Sequence, residues 1–357
     1  MSESQKALSA LNLLLDNCRI GLTALVDGSL PDNDQLNASF STIRTDFGSI
    51  LSLLYSSATK VALALKPAPS PQYKAALVPL QDLSNNTAAL VHSVRLMRQS
   101  QGATLVLEYE GLSKNILVAI QAFANGLSQS NLGSHEETFI AVGKLHELID
   151  NAKKPNVLSS DNRAAVRRRW VQDYESLVDG WEELQDIDKT SDMEDGDEDE
   201  FDDGWDELGS KQTFAPSELE RIEKVRALVK VANLLHTRVV KDLLSSNTHK
   251  QDNVTLDNLA TYSAQLLSAS DELISSMYTP QQPTAISLHL SSYLGALKAI
   301  QHALNPKNED LEQQLSALSV SNASLSKKTK WLKTCFDLID KAGAQVSETL
   351  VAVKESS

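Results

Sequence analysis

Apolar residues recur at spacings of three and four almost from end to end of this chain, the signature of helices that bury one face. The clearest run is Ile222, Val225, Val229, Ala232, His236, Val239 and Leu243, a narrow packing seam. Leu332, Phe336, Ile339, Gly343, Val346, Leu350 and Val353 repeat it near the C-terminus. No convincing period-two alternation accompanies these runs, and glycine is scarce at 14 of 357 residues, so the expected class is all-α. A chain this long can bury two cores. About ten amphipathic helices joined by short polar loops are expected to pack as two antiparallel bundles.

Local signals punctuate the pattern. A first helix is expected from about Ser4 to Val26, stopping at Gly28, and a second from near Asp32 or Asp34 to the "KPAPSP" stretch. Pro71 suits the first turn of a third helix, which Pro79 then interrupts, and a fourth follows Gly102. Ser134 with Glu137 and Ser217 with Glu220 read as capping boxes. "KKPNVLSSDN" reads as a loop before a sixth helix. The last three helices are expected over about Leu256–Met277, Ala285–Leu304 and Leu311–Val353, the last broken near Asn322.

Charge is distributed very unevenly. The formal net charge is −14, yet sixteen Asp or Glu and a single lysine lie between Asp179 and Glu207, which leaves the remainder nearly neutral. The densest part is "SDMEDGDEDEFDDGWDELG", residues 191–209. As a calcium loop it fails: Asp195, Asp197 and Asp199 alternate correctly, but Glu200 stands where the turn needs glycine and Asp206 where a bidentate glutamate is needed. Crowded like charges and two glycines also oppose a helix. The expected organisation is therefore an N-terminal bundle over 1–189, an acidic linker over 190–215 and a C-terminal bundle over 216–357. A pure linker has no need of Phe201, Trp205 and Leu208; these three are candidate anchors for docking on a partner protein, with charge steering the encounter. Ser191, followed by Asp192 and Glu194, is a candidate phosphorylation site.

Signatures of catalysis are missing: there is no GxGxxG, GxxxxGK[ST] or GxSxG, and the seven histidines are scattered. No enzyme activity, cofactor or metal is expected. Two distant cysteines, Cys18 and Cys335, point to a reducing compartment. Apolar runs such as "VALAL" are far shorter than the roughly 18 residues a membrane span needs, and a soluble intracellular protein is expected. The basic clusters "RAAVRRRW" and "KKTKWLK" spread around their helices and do not form one stripe, so direct nucleic-acid contact is not expected.

The order of "LSSDNRAAVRRRWVQDYESLVDGWEEL", an acidic run with "FDDGWDEL", and "ELERIEKVRALVKVANLLHTRVVKDLL" resembles the cyclin-D-binding protein (GCIP) family. The likeness is clearest over 156–244. It implies an all-helical protein of two bundles similar to those of talin and vinculin. It also implies a non-enzymatic regulator in cytoplasm and nucleus that binds D-type cyclins or helix–loop–helix factors and restrains cell-cycle progression or transcription. A cytoskeletal or scaffold adaptor of the helical-bundle type is the alternative. Oligomeric state is not legible.

Overall fold

The computed structural model describes residues 1–27, 39–66, 70–129, 135–189, 214–245, 252–304 and 322–351. Among these residues all regular structure is helical: α1 (Glu3–Val26), α2 (Phe40–Ala64), α3 (Tyr73–Ser100), α4 (Ala103–Gln129), α5 (His135–Lys153), α6 (Asn162–Asp186), α7 (Pro216–Val239), α8 (Asn253–Ser275), α9 (Pro283–Leu304) and α10 (Asn322–Val351). A π-helical turn, Val240–Leu244, closes α7.

Helix starts follow their caps. Ser2 opens α1 by accepting from the Gln5 amide while the Gln5 side chain returns to the Ser2 amide, a complete capping box that starts the helix at Glu3, one residue ahead of the expected boundary. α2 begins at Phe40 under a Ser39 cap, and its expected start near Asp32 or Asp34 lies outside the described residues. Pro71 precedes α3 rather than sitting in its first turn, because Gln72 is still non-helical and its amide is committed to the Ala64 carbonyl at 2.7 Å. Pro79 does lie inside α3. α7 starts at Pro216, not Ser217. Ala215 has no side-chain acceptor, so only the reciprocal half of a box forms, with Glu218 accepting from the Ala215 amide at 2.8 Å. Asp252 caps α8, and Pro283 occupies the first position of α9. The cap expected at Ser134 and Glu137, and the helix expected from Leu311, fall outside the described residues or side chains.

The chain divides into two compact units, 1–165 and 166–357. In the first, α3 packs on α1, α2 and α4, and α5 on α2 and α4. Its core includes Leu14, Phe47, Leu54, Leu80, Leu90, Tyr109 and Phe123, all essentially removed from solvent. Each fully buried leucine of this kind contributes roughly 2 kcal/mol. α2 is long and apolar enough to cross a membrane, but its buried face, from Ile43 through Phe47, Leu51 and Leu54 to Val61, is spent on this core.

In the second unit α8 packs on α9 and α10 on both α7 and α9. The seam residues Ile222, Val225, Val229, Ala232, His236 and Val239 are buried, as are Leu332, Phe336, Ile339, Val346 and Leu350 facing them in the same core. The division falls inside α6, upstream of the boundary expected at residue 189. Ala165 closes the first core, whereas Val166, Trp170, Leu177, Leu184 and Ile187 belong to the second.

Polar ties hold the first unit's helix ends. Arg98, at the end of α3, donates to Glu110 Oε1 at 2.6 Å and to the Ala24 and Leu25 carbonyls at 3.2 and 2.7 Å, so it closes the C-terminus of α1. Asn162 Oδ1 accepts from the Leu105 amide at 3.0 Å and thereby caps α4 from 57 residues away. Gly102 makes room for it: a Cβ there would lie 2.0 Å from the Asn162 amide nitrogen.

Candidate functional site

The acidic stretch is bracketed by two polar clamps on one helix. On the upstream side α6 ends with Leu184 and Ile187 buried, and the last carbonyls of a helix need donors from beyond it. Arg226 of α7 supplies the donors: Nε to the Leu184 carbonyl at 3.0 Å and Nη2 to the Gln185 carbonyl at 3.1 Å. The same guanidinium holds Asp188 in a two-pronged ion pair and reaches Glu223 at 2.6 Å. Its hydrogen bonds keep the Asp188 carboxyl below the usual carboxylate range despite partial burial.

On the downstream side Phe214 packs against the second core. Glu218 takes the amides of Ala215 and Gln281, each at 2.8 Å, and Arg221 donates to the Gln281 side chain. Burial disfavours the Glu218 carboxylate, but these amides outweigh it and its pKa is lowered.

Both brackets belong to the second unit and both rest on α7. Arg226 and Ala215 are eleven residues apart, about 16 Å along a helix at 1.5 Å per residue. Residues 190–213 therefore connect two helices of one unit, with far more chain than that distance requires; extended, they would span about 80 Å. Connections this long inside a compact unit are commonly functional. Ser191, Phe201, Trp205 and Leu208 all lie outside the described residues. Arg226, which holds the end of α6 and Asp188, carries no sequence signal, because a lone arginine on a helix face looks solvated until its partners are known.

His236 is one of the buried polar residues of the second unit. Its ring stacks on Trp170 at 4.4 Å and on Tyr174 at 5.7 Å, and Nε2 meets Ser263 Oγ at 3.0 Å. Trp170 Nε1 donates to the His236 carbonyl at 3.1 Å. Burial pushes the imidazole down to about 3, so the ring is neutral and serves packing. His146 likewise stacks on Tyr55 at 3.8 Å. Among the described residues no three His, Cys, Asp or Glu converge as metal ligands. Cys18 and Cys335 are both buried free thiols, and burial pushes Cys18 up to about 12.

Two clefts of opposite character open on the surface. One of about 460 Å³ in the second unit is lined by Asp271, Glu272, Tyr278 and His289 and no Lys or Arg. Burial, with the nearby Glu183 charge, raises the Asp271 carboxyl. Tyr278 donates to Glu183 at 2.8 Å, and His289 Nδ1 lies 3.2 Å from Glu272. The other, of about 390 Å³ in the first unit, is lined by Arg44, Lys153 and Lys154 and no Asp or Glu. The basic stretches "RAAVRRRW" and "KKTKWLK" each contribute a contact within the second unit. Arg169 pairs with Asp173 at 3.2 Å, and Trp331 lies beneath Arg238 at 4.8 Å.

Among the described residues the protein is all-α, with two hydrophobic cores, and a long connection between α6 and α7 carries the acidic run. Comparison with family models places it further. The N-terminal model of the family described as Grap2 and cyclin-D-interacting matches residues 46–190, and its C-terminal model matches 194–302. The chain belongs to this family. No curated protein matches it in sequence.

Proposed function

We propose that this protein is a non-enzymatic regulator that binds partner proteins, D-type cyclins or helix–loop–helix factors among them, and thereby restrains cell-cycle progression or transcription in the cytoplasm and nucleus. The observation that carries this reading is the pair of family matches, which together take in both helical units and run into the acidic stretch from either side. The geometry supports the stretch as the docking element: the residues flanking it on either side, Leu184 and Gln185 before and Ala215 after, are held by α7, while its length exceeds what the connection needs. Phe201, Trp205 and Leu208 are the proposed anchors, and the surrounding carboxylates accelerate encounter with a basic groove.

The test is binding of purified full-length chain to a recombinant D-type cyclin, measured by biolayer interferometry. Phe201→Ser with Trp205→Ser is expected to weaken binding by at least about tenfold, the loss of two aromatic anchors. No binding to any D-type cyclin overturns the partner assignment, and unchanged affinity in the double variant overturns the anchors. Ser191 phosphorylation would deepen the same field, and intact-mass measurement on protein from its native cell checks it.

A further inference from the structure

We propose that the cleft between the first turns of α2 and the α5–α6 turn is a docking groove for an acidic peptide segment of a partner protein. Its walls come from separate elements: Arg44, Gly48 and Ser52 from α2, facing Lys153, Lys154 and Asn156. Three cations and no carboxylate line it.

None of the three charges is compensated among the described residues. Arg44 is exposed, makes no ion pair there, and sits in the second turn of α2, near the positive end of the helix dipole, where a cation is disfavoured. Lys153 and Lys154 reach neutral acceptors, Ser52 Oγ at 2.9 Å and Asn151 Oδ1 at 2.7 Å. The two lysines suit the C-terminal end of α5, so the helix dipole accounts for their place there. It does not account for Arg44 on the opposite wall.

The backbone holds this arrangement in place. The Val157 amide closes a turn onto the Lys154 carbonyl at 3.3 Å, with Pro155 second and Asn156 third at φ 63°. That is the residue pattern of a type II turn, in which asparagine tolerates the left-handed conformation. The turn sets Lys154 at the rim. Across from it, a Cβ on Gly48 would meet no atom within 4 Å, so the groove is open where a side chain would otherwise stand.

The occupant follows from this chemistry. A cleft of about 390 Å³ with cations on two walls is larger than one phosphate needs. A long nucleic acid needs a basic track along its backbone, whereas the cations here line one short cleft. A short peptide with carboxylates flanking apolar side chains matches both the cations and the apolar Pro155 and Leu158. The inference does not depend on the cyclin-type partner, since the groove lies in the first unit and includes no part of the acidic stretch.

Fluorescence polarisation at low ionic strength tests it. The full-length chain is titrated into a fluorescein-labelled synthetic peptide with the sequence of residues 191–209, used as an acidic, aromatic-bearing probe. Arg44→Glu with Lys154→Glu is expected to weaken binding about tenfold or more. Gly48→Leu should weaken it comparably by filling the groove without changing charge. It also raises helix propensity, so helical content by circular dichroism should hold. A probe with every Asp and Glu replaced by Asn and Gln should not bind.

Equal affinity in all variants, or no binding by the wild-type chain, overturns the proposal. So does complete displacement by inorganic phosphate, which would mark a phosphate-sized site. Tighter, variant-sensitive binding of a single-stranded oligonucleotide would assign the groove to nucleic acid instead. Because D-type cyclin binding is measured separately, either reading can fail while the other stands.

Discussion

His236 shows how one residue in a packing seam is set by its neighbours. Its spacing placed it on the buried face of α7, but nothing in the sequence showed that Trp170, Tyr174 and Ser263 would enclose it. The ring's pKa falls from 6.5 to about 3 on folding. The unfolded chain therefore binds the proton more readily. This contribution to stability is complete above pH 6.5 and is lost as pH falls from there toward 3. Unfolding free energies from urea titrations between pH 6.5 and 4 should decline, by up to about 1.4 kcal/mol per pH unit from this one site. His236→Phe should flatten that slope, though Ser263 then loses its partner. Arg98 makes a second case, since it and Glu110 are each only 9% exposed. Arg98→Met strands the carboxylate and two carbonyls at the end of α1, a loss expected at about 3 kcal/mol in urea unfolding. Lysine should not rescue it, because a point charge cannot serve three acceptors in a fixed fork.

Whole helices were the most legible part of the chain, because period and caps are local. α1, α8 and α9 start within three residues of where the apolar period puts them, at Ser2 and Asp252 caps and at Pro283. Where a helix starts elsewhere than its local signals indicate, the cause is a partner further away. Pro71 stays outside α3 because the Gln72 amide is taken by Ala64, and α7 starts early because Glu218 serves both Ala215 and Gln281. The cap of α4 could not be read at all, since it arrives from Asn162. That pairing makes a sharp prediction. Gly102→Ala must displace Asn162, so it should cost about as much as Asn162→Ala, roughly 1–2 kcal/mol. The double variant should be no worse than either single one, a non-additivity that a double-mutant cycle in urea would reveal. Arg226→Leu should cost about 2 kcal/mol by opening the end of α6, with faster hydrogen exchange near residues 184–188 as the local readout.

At the scale of the molecule, the acidic composition break and the division between the two compact units fall at different places. Composition marks where charge changes, whereas a unit is defined by which core a helix feeds, and α6 feeds the second from Val166 onward. All four tryptophans, at 170, 181, 205 and 331, consequently fall in the second unit. Leu90→Ala, a cavity in the first core worth about 3 kcal/mol, should then shift unfolding followed by circular dichroism more than unfolding followed by tryptophan fluorescence. The clamps on α7 have a larger consequence. If the chain is expressed as two separate polypeptides, 1–203 and 204–357, the break falls within one folded unit and leaves α6 on the other piece from α7 to α10. The apolar face from Val166 to Ile187 then has no core except the one the second piece supplies, so the two should co-purify as a reconstituted protein. Two fragments eluting separately and folded would return the stretch to the role of a tether. Co-elution would make it a site where the chain tolerates a cut, an insertion or a graft.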